Sequence, residues 1–396
     1  MNSRLHFAFL NAGHFIDHLL PLVFATVAAL VLTRKWGMSY AELIPYATPA
    51  LVVFGLGALP AGWLADRWSR QKMMVIFFFG IGASAIATAY ANTPLTLALG
   101  LFAIGLFGSI YHPVGLAMVI QGGQRTGLPL AVNGVFGNLG VACAVLFTSL
   151  LIEASGWRAA FIWPGLVTLL VGVAYWILIR GPQADDPHQY EKKSGDTKPL
   201  QAFTWETLVR VFVIVFASTA LGGLIFQSTT FDLSKVIDER LSGLTISITA
   251  IGWYTFSIFA LASVGQLIVG YLVDCWPLKL VFLAVATGQC LLALALVNSS
   301  GMSTIVVCAA FMLVVFGQIP INDVLIGRVT SSGWRSRALG ARYIITFSVN
   351  ATAIPMIAWT HTTWGFGAFF MILAAIAAAI MAFVSFLPKV EITQTR

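Results

Sequence analysis

Long apolar runs alternate with short polar breaks along almost the whole chain. A membrane-spanning helix needs about 20 successive apolar residues. Twelve runs are long enough, and they lie within 7–32, 43–64, 73–91, 94–120, 128–152, 159–179, 208–230, 249–272, 279–298, 303–326, 341–360 and 364–387. The pattern predicts an all-α polytopic membrane protein with twelve transmembrane helices.

One connection is longer and more polar than the others. Residues 181–206 combine acidic and basic side chains with proline and glycine, a composition typical of a linker. We therefore expect an N-terminal six-helix bundle over 1–180, a cytoplasmic linker loop over 181–206 and a C-terminal six-helix bundle over 207–396. A second polar patch, from Asp232 to Arg240, is expected to form an amphipathic loop or a short surface helix outside the membrane.

The two halves carry related sequences at one spacing. The stretch 62–70, GWLADRWSR, follows the second run, and GYLVDCWPLK at 270–279 follows the eighth, at an offset of 208. Gly108-Ser-Ile-Tyr in the fourth run matches Gly317-Gln-Ile-Pro in the tenth at an offset of 209. Matches at one period between equivalent runs indicate a duplicated unit, and hence two pseudo-symmetric bundles.

The composition supports the membrane class and indicates an orientation. The chain is 59% hydrophobic and 9% charged, whereas soluble domains average about 25% charged residues. With the N-terminus inside, most of the lysines and arginines fall in inner segments, and the outer exceptions are Arg34, Lys35, Arg158, Lys235 and Arg240. The positive-inside rule therefore predicts that both termini are cytoplasmic, and it attributes the net charge of +7 to basic loops and not to nucleic-acid binding.

Four polar side chains interrupt the first apolar run. At 100° per residue, Asn11, His14, Asp17 and His18 fall on one arc of roughly a third of a helix. Ionisable groups at membrane depth are costly, so they usually face a bundle interior or a water-filled path. The arc is therefore the first candidate for a functional face.

The fourth run offers partners for this face. Counted at 1.5 Å per residue, His14 and His18 lie roughly 10–17 Å from the inner surface and His112 roughly 12 Å from it, with Ser109 one turn away from His112. Because histidine titrates near neutral pH, three histidines and an aspartate at one depth could relay protons. Two alternatives stay open: a hydrogen-bonded network that holds two helices together, and a transition-metal site formed by His14, Asp17 and His18.

The loop after the second run carries a recognisable motif. Gly62-x-x-x-Asp66-Arg67-x-Ser-Arg70 resembles the loop between helices 2 and 3 of the major facilitator superfamily, and the likeness in layout covers the whole chain. The resemblance implies the superfamily fold, alternating access, and helices 1 and 4 lining a central cavity. It also implies gating roles, against the plainer alternative of a basic turn, for Gly62, Asp66, Arg67, Arg70 and, in the second copy, Asp274. Near the inner end of the tenth run, two alternatives stay open: Asp323 and Arg328 form an inner-gate ion pair, or Asp323 contacts the substrate.

Within the superfamily, the first half resembles the fosmidomycin-resistance-type efflux proteins. The likeness rests on His14-Phe-Ile-Asp17-His18, on the run from Gly108 to Pro113, and on Gly137-Asn138-Leu-Gly140. The superfamily's usual arginine in helix 4 is absent, so proton coupling would need another titratable centre. In the superfamily, a glycine-rich helix 5 packs against helix 8 and is associated with exporters, so Gly134, Gly137 and Gly140 favour efflux, with ordinary helix packing as the alternative.

These observations predict a proton-coupled secondary active transporter in the cytoplasmic (inner) membrane of a bacterium, exporting a small organic molecule. The alternative is an importer or symporter of a nutrient, a metal chelate or a metal ion; the paired halves argue against a membrane enzyme. No Walker-type phosphate loop is present, so we expect the proton gradient to supply the energy without a cofactor.

The expected partners are the solute, protons and the lipid bilayer, with no nucleic acid, and the expected state is a monomer. The residues expected to couple protons or bind substrate are Asn11, His14, Asp17, His18, Ser109, His112 and Asn138.

Overall fold

The structure is a computed structural model, and it describes residues 3–121, 127–180, 204–242, 247–329 and 332–388. All regular elements in these ranges are helical. The α-helices are α1 Ser3–Val27, α2 Thr33–Trp36, α3 Tyr40–Leu43, α4 Thr48–Arg67, α5 Arg70–Ala89, α6 Pro94–Gly108, α7 Tyr111–Gln121, α8 Gly127–Ser155, α9 Ala159–Ile179, α10 Trp205–Arg240, α11 Ile248–Cys275, α12 Leu278–Leu296, α13 Met302–Gly317, α14 Ile319–Val329 and α15 Ser332–Ser385. A π-helical turn, Ala28–Leu32, extends α1, and a 3₁₀ turn, Ile44–Ala47, precedes α4.

Eleven stretches in the described part of the chain are long and apolar enough to cross a membrane. Large apolar side chains such as Leu170 (69% exposed) and Val306 (70% exposed) remain on the outside of these helices, as expected for surfaces that face lipid. The predicted eleventh and twelfth helices both fall in α15, whose backbone is interrupted at Gly365. The all-helical polytopic fold is therefore confirmed, and the count of twelve helices stays a prediction.

Two of the predicted spans are each built from two helices. The fourth span consists of α6 and α7, which are separated at Ser109, and the tenth consists of α13 and α14, which are separated at Gln318. Pro113 and Pro320 lie in the first turns of α7 and α14, where the missing N–H costs no helical hydrogen bond. Each proline therefore suits a helix that restarts, and the restart of α7 places Tyr111 and His112 in a new first turn.

The chain divides into two compact units. The first comprises Met1–Lys193 with Thr245–Phe256, and the second comprises Ser194–Leu244 with Ser257–Arg396. Most of the predicted linker lies outside the described residues, and α10 begins at Trp205, just before the predicted boundary at 207. The division into 1–180, 181–206 and 207–396 stays a prediction.

The polar patch from Asp232 to Arg240 does not form the loop or surface helix expected from the sequence. It forms the last turns of α10, where Asp232 is 0% exposed and Ser234 is 2% exposed. The Lys235 ammonium lies 3.2 Å from Asp238 and 3.3 Å from Glu239, and Arg240 donates hydrogen bonds to two main-chain carbonyls of the second unit. The expectation was wrong because these polar groups find partners inside the unit, so the helix need not end where the hydrophobic run ends.

Candidate functional site

Three histidines from two helices meet inside the first unit. The rings of His14 and His18, one turn apart on α1, have centroids 4.9 Å apart. The ring of His112, in the first turn of α7, lies 5.5 Å from that of His14 and 5.6 Å from that of His18, edge-on to both. One ring nitrogen from each histidine falls within 4.8 Å of the others. The structure thus brings together the side chains that the depth count placed at one level, and these three imidazoles could hold a metal ion.

Asp17 adds a carboxylate to the three histidines. Its Oδ2 atom lies 3.4 Å from Nε2 of His112, and the Asp17 side chain is fully buried. Neither carboxylate oxygen receives a hydrogen bond from the residues that the structure describes. An unpaired carboxylate in such a place is strongly unfavourable, because burial removes the water that stabilises its charge. A proton on Asp17 or on His112 would offset this cost. We call His14, Asp17, His18 and His112 the His/Asp cluster.

A network of buried hydrogen bonds surrounds His14 on the side that faces α8. Nδ1 of His14 lies 2.7 Å from the main-chain oxygen of Asn133 on α8. The side-chain amide of Asn133 donates to Oδ1 of Asn11 at 2.9 Å and to the Tyr111 hydroxyl at 3.0 Å. The Tyr111 hydroxyl donates to the main-chain oxygen of Leu10 at 2.8 Å. Helices α1, α7 and α8 are therefore connected by one buried hydrogen-bond network next to His14.

Glycines make room for these rings. A Cβ atom on Gly13 or Gly115 would lie 2.9 Å or 2.7 Å from a ring carbon of Tyr111, and one on Gly137 would lie 2.7 Å from Nε2 of His14. Real Cβ atoms essentially never approach so closely, so any side chain at these three positions would displace a ring. The glycines thus allow Tyr111 and His14 to pack against the backbone of neighbouring helices.

The glycines of the fifth predicted helix, α8, do not have the partner expected from the sequence. Gly137 faces His14, and a Cβ atom on Gly140 would collide with the main-chain oxygen of Phe15, so both pack against α1. Space around Gly134 is open to 4 Å. Helix α11, the predicted eighth helix, meets α8 further along, through Gly252. Helix α8 thus contacts both α1 and α11. Glycine spacing shows that a helix can be approached closely but does not show by which helix.

The other two predicted site residues are Ser109 and Asn138. Ser109, at the break between α6 and α7, is 2% exposed, and its hydroxyl donates to the main-chain oxygen of Leu106 at 2.7 Å. Asn138 is 9% exposed on α8, next to Gly137. The sequence argument did not assign a positioning role to Tyr111 or Asn133. Two features of the sequence pointed to these residues: Tyr111 directly precedes His112, and Asn133 is a polar residue in an apolar run. Neither feature shows which side chains the residue contacts.

The predicted gate residues of the first half lie in the last turns of α4 and at the start of α5. Arg70 lies 2.6 Å from Asp66 across the turn, and the Asp66 side chain is 64% exposed. The Arg67 guanidinium stacks 4.4 Å from the ring of Trp63, and a Cβ atom on Gly62 would touch Pro113 at 3.3 Å. These contacts fit both a gate and a basic turn. The side chains of Asp274, Asp323 and Arg328 lie outside the described part of the chain, so their predicted roles remain predictions.

The second unit contains a buried polar network without charge. Gln289 of α12 donates to Gln318 at 2.8 Å, and Gln318 in turn donates to the main-chain oxygen of Ser218 at 3.1 Å. Ser218 also donates to Asn322 at 3.3 Å. Among the described residues, the break between α6 and α7 in the first unit lies beside the titratable His/Asp cluster. The equivalent break between α13 and α14 in the second unit carries the uncharged side chain of Gln318.

Comparison with known proteins identifies the family. Residues 10–244, more than half of the chain, match the family model described as Major Facilitator Superfamily. The chain belongs to the Major Facilitator Superfamily. Transporters of this superfamily need no cofactor and are driven by an ion gradient.

Curated relatives of this superfamily member are named as transporters, which supports a transporter and not an enzyme. It is 30% identical over 227 residues to the 4-hydroxybenzoate transporter PcaK of Pseudomonas aeruginosa, covering 53% of this chain and 51% of the relative. It is 27% identical over 150 residues to the gallate transporter of Pseudomonas putida, covering 37% and 33%. The chain thus spans about half or less of the length of these relatives. The narrower resemblance to fosmidomycin-resistance-type efflux proteins is not confirmed by these matches.

Solved structures share the fold of this superfamily member. The xylose transporter XylE from E. coli, in an inward-open conformation, aligns with a TM-score of 0.76 at 12% identity over 100% of this chain and 98% of that chain. A bacterial homologue of the human lysosomal transporter Spinster aligns with a TM-score of 0.73 at 15% identity, over 97% and 94%. At these identities the likeness shows the fold alone.

Proposed function

We propose that this superfamily member is a proton-coupled secondary transporter of a small organic acid, and that the His/Asp cluster is its proton site. The observation that carries the proposal is the contact of 3.4 Å between the buried Asp17 carboxylate and Nε2 of His112. Because a proton on this pair offsets the cost of burying the carboxylate, a change in its surroundings during alternating access would take up or release that proton. His14 and His18 lie close enough to share it.

The solute class follows from charge and from the named relatives. When Asp17 is neutralised by one proton, a second proton on an imidazole of the cluster would present positive charge to a carboxylate. The relatives are named for 4-hydroxybenzoate and gallate, and further matches are named as probable transporters of sulfoacetate and L-galactonate. All of these solutes are organic anions, which supports an organic acid as the cargo of this chain.

The direction of transport depends on the sign of coupling. Export by proton antiport is the direction that the sequence predicts. Uptake by proton symport is the second candidate. The glycine argument for export is weakened, because Gly137 and Gly140 pack against α1 and not against the eighth helix. The proposal includes a monomer in a bacterial cytoplasmic membrane with both termini inside, and gating by the turn that contains Asp66 and Arg70.

A metal-ion carrier is a third candidate, and the observation that favours it is the grouping of three imidazole nitrogens within 4.8 Å. Such a grouping suits zinc or another divalent transition metal. This candidate predicts that zinc, iron or copper binding by purified protein is lost in His14→Ala and His18→Ala. Metal binding that is equal in both variants and in the wild type would eliminate it.

Transport by purified protein in proteoliposomes tests the proposal. Radiolabelled 4-hydroxybenzoate and gallate are supplied with an imposed pH gradient of either sign, so that symport and antiport give opposite dependences. Asp17→Asn and His112→Ala should each abolish gradient-driven transport while the protein remains folded. Thr26→Val is the matched control, since Thr26 lies on the same helix, is 0% exposed and makes no side-chain hydrogen bond to the residues described. Full activity in both cluster variants would refute the site.

A further inference from the structure

On the side of the His/Asp cluster that faces α8, His14 contacts both Asn133 and Tyr111. We infer that Asn133 and Tyr111 are positioning residues that hold His14 in one tautomer, with its proton on Nδ1 and with Nε2 as the acceptor offered to the other histidines. The effect of this tautomer on transport rests on the proposed function. The tautomer itself can be measured without any transport assay.

The tautomer follows from the chemistry of the partner. A main-chain carbonyl oxygen can only accept a hydrogen bond, so at 2.7 Å from Asn133 the Nδ1 atom of His14 must donate. A neutral imidazole carries one N–H, and therefore Nε2 of His14 is left with a lone pair. The acceptor is thus set by the backbone of α8 and not by a side chain that could turn over.

The position of that carbonyl is itself held by the Asn133 side chain. Asn133 is 0% exposed, and its amide donates to Asn11 on α1 at 2.9 Å and to Tyr111 on α7 at 3.0 Å. Two bonds to two different helices fix the first turns of α8 relative to α1. The distance from the Asn133 carbonyl to His14 is therefore not free to change without breaking a buried hydrogen bond.

Tyr111 fixes the plane of the ring. It is 0% exposed and lies nearly parallel to His14, with ring centroids 4.9 Å apart and an interplanar angle of 22°. Its hydroxyl is fully used, since it accepts from Asn133 at 3.0 Å and donates to Leu10 at 2.8 Å. A tyrosine bonded at both its donor and its acceptor position cannot rotate away from His14 without losing both bonds.

Gly137 on α8 faces the ring of His14 and not its Nε2 lone pair. A Cβ atom on Gly137 would lie 2.7 Å from Nε2, 2.9 Å from Cε1 and 3.0 Å from Cδ2. These nearly equal distances place that position over the face of the ring and not along the in-plane lone pair. Asn133 therefore sets the tautomer, Tyr111 sets the plane, and Nε2 of His14 is kept available for a proton that arrives through His18 or His112.

The experiment compares two fully buried tyrosines of the first unit. The Tyr111 hydroxyl makes the two bonds described above, whereas the hydroxyl of Tyr175, which is also 0% exposed, has no hydrogen-bond partner among the described residues. Tyr111→Phe keeps the ring and removes only the bonds, and Tyr175→Phe is the matched control. Protein labelled with ¹⁵N-histidine is measured by solid-state NMR in lipid, and the His14 signals are assigned by their absence in His14→Gln.

Wild type should show a protonated, pyrrole-type Nδ1 and a pyridine-type Nε2 at His14. Tyr111→Phe and Asn133→Ala should show a mixture of the two His14 tautomers, together with a shift in the pH profile of gradient-driven transport. Tyr175→Phe should match the wild type in both measurements. A loss of stability alone would lower the amount of folded protein without changing the tautomer or the pH profile of what remains.

Two results would overturn the inference. One is a wild-type His14 that is protonated at Nε2, which decides the matter even if neither positioning variant folds. The other is a Tyr111→Phe protein with the wild-type tautomer and the wild-type pH profile. If instead the wild type moves no organic acid under any gradient, the proposed function fails while the tautomer assignment is still judged by NMR.

Discussion

The packing of the His14 ring against α8 can be tested by adding one methyl group to α8, in the substitution Gly137→Ala. In Gly137→Ala, the new Cβ would lie within 3.0 Å of three ring atoms of His14, which is fixed by its bond to Asn133 and by its stacking on Tyr111. In Gly134→Ala, one turn earlier on the same helix, the new Cβ meets nothing within 4 Å. The two substitutions are chemically identical, so their difference isolates the contact with His14.

The expected magnitude comes from three contributions. Forcing a methyl group into a packed site costs about 1–3 kcal/mol, and losing the Nδ1 hydrogen bond of His14 would add about 1 kcal/mol. Replacing glycine by alanine inside a helix gains about 1 kcal/mol, but this gain applies equally to both variants and cancels in the comparison. We therefore expect Gly137→Ala to be less stable than Gly134→Ala by about 1–3 kcal/mol, or by about 4 kcal/mol if the hydrogen bond is also lost.

Unfolding by titration with a denaturing detergent, followed by circular dichroism, measures this difference, and transport in proteoliposomes measures its functional effect. Gly134→Ala should match or slightly exceed the wild type in stability and should keep wild-type transport. Gly137→Ala should lose most gradient-driven transport even in the fraction that is folded, because His14 has moved. Equal stability and equal transport in the two variants would refute the placement of His14 against α8.

Two further predictions concern the backbone break in α15 and the turn after α4. Gly365 has φ 73° and ψ −176°, a region open almost only to glycine, so Gly365→Ala should cost about 1–3 kcal/mol in unfolding free energy by the same titration, and an unchanged midpoint would contradict the strain argument. The exposed pair between Asp66 and Arg70 is worth about 0.5 kcal/mol, so Asp66→Asn should leave stability nearly unchanged while lowering the initial rate of transport if the turn is a gate. A wild-type rate in Asp66→Asn would favour the plain basic turn.

Parts of the site could be predicted because they depend on position along a helix. Asn11, His14, Asp17 and His18 share an arc at 100° per residue, and counting residues from the membrane surface placed His112 at a similar depth. The structure brings these histidines together. Rotation and rise are properties of a single helix, whereas the expectation that helices 1 and 4 face each other came from the superfamily resemblance.

Other parts could not be predicted because they depend on lateral packing. The bond between His14 and Asn133 joins residues 119 positions apart, and the glycines of α8 show only that some helix can approach closely. Gly137 and Gly140 meet α1, whereas α11 meets α8 through Gly252. The patch from Asp232 to Arg240 was assigned to a loop because hydropathy falls there, whereas the second unit supplies buried partners that let α10 continue.

The sequence by itself determined the membrane class, the succession of spanning helices and the polar arc on α1, because apolar length, charge and helical periodicity are local properties of the chain. Only the tertiary structure decided that α8 packs on α1 through Gly137 and Gly140, that Tyr111 and Asn133 join three helices beside His14, and that Asp17 lies against His112. In a membrane, every helix already presents an apolar surface, so hydrophobicity does not select partners. Close packing and a few buried hydrogen bonds select them instead.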